Sequence, residues 1–307
     1  MTLFQGGAAE GRAPADAEHC GSRSIRNAMT VDVEDFFQVQ AFAGSISRNS
    51  WDDFPRRVEA NTEKVLGLFA EAGVSGTFFT LGWVAERHPA LVRRIVEQGH
   101  ELASHGYAHV QVHQQHRDEF RADVRRTKRL LEDVSGAAVK GYRAASFSIG
   151  ATTLWALPIL AEEGYRYSSS IYPVVHDLYG MPEAPRFMFR PAGAGLAEIP
   201  MTTCALMGRN IPCSGGGYFR LLPYGISRWA IRRVNVRDRQ PAIFYFHPWE
   251  VDPDQPRVPG VGWKSRLRHY LNLSRMEPRL RRLLADFAWS RMDRVFLDAP
   301  IEQVAQA

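Results

Sequence analysis

His105 and His109 stand four residues apart in the segment Glu101-Leu-Ala-Ser-His-Gly-Tyr-Ala-His-Val110. Two imidazoles at that spacing project from one face of a helical turn, where both ring nitrogens reach a single metal ion. In a chain with 10 His, such a pair alone says little. An acidic cluster upstream, Thr30-Val-Asp-Val-Glu-Asp35, adds to it by closing an apolar stretch that reads as a strand. Two imidazoles and one carboxylate, with positions left for water, form the ligand set of a catalytic zinc or a similar divalent ion. If the strand continues past Val33, Glu34 points to the same side as Asp32 and is the ligand. If the chain turns there, Asp35 takes that place, and the sequence leaves both open. The chemistry indicated is hydrolysis.

Rigid elements must hold these groups. Ala28 to Val33 reads as a short apolar strand ending in acids. Arg57 to Ala72 carries Val58, Val65, Leu66, Leu68 and Phe69 on a helical stripe that stops at Gly73. Residues 76–82 form a β-rich run bounded by glycines, and 88–99 a helix with Pro89 at its start and Gly99 at its stop. Glu101 to Ser104 is the strand that delivers the His pair. A helix from about Arg117 to Val134, a strand at Arg143, a helix from Thr152 to Glu163 and a strand from Tyr165 to Ser168 follow. This alternation predicts parallel strands joined by crossover helices, an α/β barrel or doubly wound sheet with catalytic groups at the carboxyl ends of strands. Asp32, His105, Arg143 and His247 all fall where a strand is expected to end. Residues 172–224, rich in Pro and Gly, break the rhythm and are expected to form a loop-rich insertion over the active face. Within it, His176-Asp177 and Tyr218-Phe219-Arg220 suit either sugar contacts or packing of the insertion on the barrel.

The length of 307 residues with 45% hydrophobic content suits a single domain, expected over residues 25–300 behind a disordered tail at 1–24. The net charge of +5 comes from stretches such as Arg121 to Arg129, whose charges alternate with Val124, Leu130 and Leu131 as on a solvated helix face. Nucleic acid is therefore not an expected partner, and only weak attraction to anionic glycans or membranes remains. Cys20, Cys204 and Cys213 are too few for a disulfide scaffold; one Cys204–Cys213 bridge is the alternative to buried thiols. No signal-like segment and no run of 18 apolar residues occurs, so a cytoplasmic location is expected.

Longer motifs extend the pattern in order: Ser104-His-Gly-Tyr-Ala-His109, then Gly141-Tyr-Arg-Ala-Ala-Ser-Phe147, then Phe244-Tyr-Phe-His-Pro-Trp-Glu250. With the Asp32-Val-Glu-Asp35 cluster they resemble the polysaccharide deacetylase (NodB-homology) group of carbohydrate esterases over about residues 25 to 300. The segments Asp32 to Phe37, Gly215 to Pro223 and His247 to Glu250 resemble most the branch found beside exopolysaccharide and exosortase gene clusters. The resemblance implies a distorted (β/α) barrel and a divalent metal, zinc first, held by His105, His109 and Glu34 or Asp35.

It also implies that Asp32 is the general base, oriented and kept ionised by Arg143, and that His247 is the general acid. Tyr142, His176, Tyr218 and Trp249 are the expected sugar contacts. The implied substrate is an N-acetylated exopolysaccharide or its precursor, with peripheral association with membrane-bound polysaccharide machinery. Three departures from the family pattern point away from chitin or peptidoglycan: Asp32-Val-Glu34-Asp35 in place of adjacent Asp residues, Arg143-Ala-Ala in place of Arg-x-Pro, and no Asp around Tyr167 to Tyr172. A cyclic amide or ureide hydrolase and an inactive glycan-binding protein are the competing readings.

Overall fold

The computed structural model describes residues 25–176 and 179–298. The tail at 1–24, Cys20 with it, and Asp177 lie outside the described residues. Six strands come first: β1 (Arg26–Val33), β2 (Thr77–Thr80), β3 (Glu101–Ser104), β4 (Gly141–Tyr142), β5 (Tyr167–Ser168) and β6 (Ala197–Glu198). A hairpin of β7 (Thr203–Leu206) and β8 (Arg209–Pro212) follows, then β9 (Ile243–Phe246) and β10 (Ala288–Ser290). All but the hairpin join one parallel sheet in the order β10-β1-β2-β3-β4-β5-β6, with β9 also bonded to β1. Between and beyond the strands lie α1 (Val58–Ala72), α2 (Gly82–Arg87), α3 (Pro89–Glu97), α4 (Arg117–Ser135), α5 (Ala156–Glu162), α6 (Gly216–Leu221), α7 (Tyr224–Arg233), α8 (Trp263–Tyr270) and α9 (Met276–Asp286).

The sheet curls on itself, since Ala28, Phe79, Ala103, Tyr167, Ala197, Ile243 and Tyr245 from six of its strands meet in one interior cluster. On β1 the alternation of a strand sorts the faces. Met29, Val31 and Val33 pack outward with Val65, Leu66 and Phe69 of α1 and Leu280 of α9, while Thr30 and Asp32 reach Arg143. The α1 stripe is buried as its spacing predicts, and the helix ends on Gly73 with φ 63°, a left-handed turn that glycine enters without steric cost. The expected (β/α) barrel is the observed architecture.

Two expectations are corrected. His105 and His109 do not sit on a helical turn: Gly106 (φ 73°) and His109 (φ 51°) take left-handed backbone, and the two rings converge from a tight loop after β3. The stretch 172–224 is more than a cover of loops, because its β6 pairs with β5 as the last strand of the main sheet. Cys204 and Cys213 are both free and buried at the β7–β8 hairpin, the buried thiols expected and not the alternative bridge. Among the described residues, no helix is long and apolar enough to cross a membrane.

Candidate active site and metal centre

β1, β3 and β9 are neighbours through β1 and β2, so the residues just past their carboxyl ends converge. Glu34, His105 and His109 offer one ligand atom each, all within 4.8 Å of one another. The chain turns after β1, with the Glu34 amide on the Asp32 carbonyl at 3.1 Å, and that turn swings Glu34 inward. Asp35 does something else. Its carboxylate accepts from the backbone N–H groups of Phe36 (2.8 Å), Arg57 (2.7 Å) and Val58 (2.9 Å), covering the open amides where α1 begins. Asp35 is therefore an anchor for α1 and not a metal ligand, and of the two acids left open by the sequence the structure brings Glu34 to the imidazoles.

A divalent cation fits this donor set. Burial pushes the Glu34 carboxyl up to about 7, against the opposing pull of the His247 charge. Burial likewise holds His105 below, and His109 well below, the usual imidazole range, so both present neutral rings. Oε2 of Glu34 is buried without a hydrogen-bond donor, although His109 Nε2 lies 3.2 Å away. Neutral nitrogens facing an orphaned carboxylate oxygen are what a cation satisfies. His105 donates its Nδ1–H to the Arg143 carbonyl at 2.8 Å, which leaves the Nε2 lone pair toward the cluster. Because only Glu34 must lose a proton near neutrality, zinc affinity should fall roughly tenfold per pH unit below about 7 and level off above it. Calorimetric zinc titration across that range checks this; a flat profile contradicts it.

On one side of the cluster lies a buried ion pair. Arg143, fully buried, donates from Nη1 to Asp32 Oδ1 at 2.6 Å and to Thr30 Oγ1 at 2.9 Å. Its Nε reaches the Ser169 carbonyl at 3.2 Å, and its guanidinium lies over the Phe79 ring at 4.0 Å. With these partners, Arg143 can hold Asp32 in one orientation.

On the other side His247 follows β9. Its Nδ1 meets Glu250 Oε1 at 2.9 Å and its Nε2 approaches Glu34 Oε1 at 3.4 Å. Burial alone would depress this imidazole, but the Glu34 and Glu250 carboxylates override it and raise it to about 9. Burial would also raise Glu250, yet Arg220 and His247 pull it down to about 2. Arg220, buried on α6, donates to Glu250 Oε2 at 2.6 Å, so Glu250 is pinned between two cations.

The expected sugar contacts divide. Tyr142 is buried in the core against Phe120 and Tyr165 and faces away from the site, because successive strand residues point to opposite sides and Arg143 points in. Trp249 is buried too: it stacks between His247 (5.1 Å) and His269 (4.1 Å) and directs its indole N–H toward Glu34 Oε1 at 3.4 Å. It steadies His247 and the Glu34 side of the cluster instead of facing a sugar. His176 stacks on Tyr179 at 3.9 Å, and both it and Tyr218 are half-buried.

The cavity beside the cluster is walled by residues 37–51 instead of the 172–224 stretch. It measures about 690 Å³ and ends at His109, with Gln38, Gln40, Ser47, Arg48 and Asn49 in its lining. Gln38 accepts the Asp35 N–H through Oε1 at 2.8 Å, and its buried Nε2 is left without an acceptor. Arg48 braces the His109 loop by donating to the Ala108 (2.8 Å) and His109 (2.9 Å) carbonyls. Gln38 and Arg48 were not singled out by the sequence, and Arg220, expected to contact a sugar or to pack the insertion, instead holds Glu250. The one local signal is the spacing of Glu250 three residues after His247, a capping box whose acid faces back.

Comparison with known proteins agrees with this geometry. The family described as Polysaccharide deacetylase matches residues 49–168, and a domain of unknown function (DUF3473) matches 169–297. The first span holds His105, His109 and Arg143; the second holds Arg220, His247 and Glu250; Asp32 and Glu34 precede both. A peptidoglycan-N-acetylglucosamine deacetylase of Bacillus cereus is 35% identical over 82 residues, 27% of this chain and 30% of that protein. A chitooligosaccharide deacetylase of Sinorhizobium fredii is 45% identical over 60 residues, 20% of this chain and 27% of that protein. The matches thus span under a third of these relatives' lengths. Among solved structures, that titled a putative polysaccharide deacetylase from Mycobacterium smegmatis superposes with TM-score 0.58 at 20% identity, covering 92% of each chain, a likeness of fold.

Proposed function

We propose, from the match of residues 49–168 to the polysaccharide deacetylase family, that this chain removes N-acetyl groups from a glycan by metal-assisted amide hydrolysis. The observation that carries this reading is one arrangement: a Glu34, His105 and His109 cluster with the Asp32–Arg143 pair on one side and His247, raised to about 9, on the other. A divalent cation on those three ligands, zinc by their donor types, supplies Lewis-acid polarisation of the acetyl carbonyl and lowers the pKa of water. Asp32, fixed through Oδ1 by Arg143, takes the proton of the attacking water. His247 is steadied at Nδ1 by Glu250, so its Nε2–H faces the site and is given to the leaving amine nitrogen. An acid still protonated at neutral pH suits an amine, which does not leave as an anion.

For the substrate we infer an N-acetylated exopolysaccharide or its precursor. The amide- and hydroxyl-lined cavity ending at His109 favours a sugar over a small cyclic amide or ureide, because it is larger than one ring needs and offers donors suited to hydroxyls. The motifs that set this chain apart from chitin- and peptidoglycan-type patterns support the same choice.

The test lies in His247→Ala. As the general acid its loss lowers kcat on an N-acetyl amide by roughly two to four orders of magnitude, and much less on an activated aryl acetate, whose leaving group needs no proton. Metal content should be unchanged, while the melting temperature should fall, because Glu250 then keeps Arg220 alone as its cation. A packing role predicts the same fall in stability but with both substrates turned over normally by the folded fraction. Equal losses on amide and ester contradict the acid role.

A further inference from the structure

Helix α8 presents a surface that the catalytic reading does not use. From Arg257 to Arg275 the chain carries five basic residues, Arg257, Lys264, Arg266, Arg268 and Arg275, and no Asp or Glu. Within that stretch Trp263 is 71% exposed and Leu267 54% exposed. They are four residues apart, so they form one apolar stripe along the helix. Beside the stripe a groove of about 550 Å³ is lined by Arg257, Val261, Trp263, Arg266, Leu267 and Tyr270. Among the described residues, no ion pair involves Lys264 or Arg266.

The inner face of α8 is firmly seated. His269 is buried and its ring packs on Phe42 (4.5 Å) and Trp249 (4.1 Å), while Tyr270 lies 6.0 Å from Phe42. The helix therefore does not need its outer Trp and Leu for folding. A rigid helix with a Trp/Leu stripe flanked by Lys and Arg has the composition of an interfacial helix: the ring and the aliphatic side chain enter the headgroup boundary while the cations meet phosphates. A soluble polyanion would use the cations but gain nothing from the protruding Trp263 and Leu267.

We propose that α8 docks this protein on an anionic lipid bilayer, with Trp263 and Leu267 in the interface and Arg257, Lys264 and Arg266 against lipid phosphates. One layer of side chains, Phe42 with His269 and Tyr270, joins α8 to the turn at residues 40–42, and Gln40 of that turn lines the cavity ending at His109. Docking thus brings the membrane surface close to the site without entering its machinery. The inference is independent of the hydrolytic reading and is tested without turnover.

The experiment is cosedimentation of the full chain with vesicles of phosphatidylcholine alone and with about one third phosphatidylglycerol. Binding is expected to the anionic vesicles only and to weaken as salt is raised, because the attraction is screened within a Debye length. The double change Trp263→Ser with Leu267→Ser should lower vesicle partitioning by roughly tenfold. Lys264→Gln with Arg266→Gln should lower it and flatten the salt dependence. Should a double variant unfold on heating earlier than the parent, the single Leu267→Ser and Lys264→Gln variants carry the same comparison. Equal binding to neutral and anionic vesicles, or binding untouched by the Trp263 and Leu267 changes, overturns the proposal. So does capture by soluble dextran sulfate that the Trp263→Ser change leaves unaltered, which would assign the surface to a polyanion.

Discussion

His105→Ala and His109→Ala should each lose the divalent ion and acetyl hydrolysis together. The cluster offers three protein ligands from three buried side chains, and removing one leaves a pair that holds the ion weakly. The cation is asked to supply several kcal/mol of transition-state stabilisation, so turnover should fall roughly 10³-fold or more. His109 also separates ligation from general disruption. Its loop is braced from outside by Arg48 on the Ala108 and His109 carbonyls, contacts made to backbone that survive truncation of the ring. Metal analysis of the purified variants, with melting temperatures alongside, decides the matter. Full metal occupancy in both variants contradicts the ligand assignment.

Asp32→Asn has the second largest expected effect and the opposite metal phenotype. Asn keeps an oxygen for Arg143 Nη1 but takes no proton from water, so turnover falls by roughly two to four orders of magnitude while the ion stays. Stability must be measured with it, because removing one partner of a buried ion pair costs about 3 to 5 kcal/mol when the other charge is left uncompensated. Arg143 is fully buried, but it retains Thr30, Ser169 and the Phe79 ring as partners, so the variant should fold with a lowered melting temperature. Glu34→Gln should behave as the His variants do and lose the ion. If Asp32→Asn sheds the metal and Glu34→Gln keeps it, the two acids have exchanged roles.

The elements with helical periodicity or glycine stops were legible in the sequence to within a few residues, as α1, α3 and α4 show. β9 was harder to read, for Ile243–Phe246 is buried on both faces and carries no alternation. The choice between Glu34 and Asp35 turned on a backbone reversal after Val33 that no side chain announces, and on amides of α1 more than 20 residues away that claim Asp35. Tyr142, expected at the sugar, points into the core, since a residue beside an inward Arg143 on a strand must point outward. Arg48 left no local trace, and Arg220 read only as a sugar or packing contact, because the groups they hold lie about 60 and 30 positions away in the chain. Their roles arise only when the sheet brings the ends of β1, β3 and β9 together.

In the proposed chemistry, Glu34, His105 and His109 hold a cation that works with Asp32 and His247 to cleave an acetamide. Acetate release from a panel of N-acetylated oligosaccharides, measured on one preparation loaded with zinc, stripped by chelator and reloaded, tests it most directly. Acetate release by the loaded protein, loss of that activity on stripping and recovery on reloading are expected, with none from Asp32→Asn under the same conditions. Acetate release that persists in the stripped protein, or its absence from every N-acetylated glycan with the site fully loaded, contradicts it.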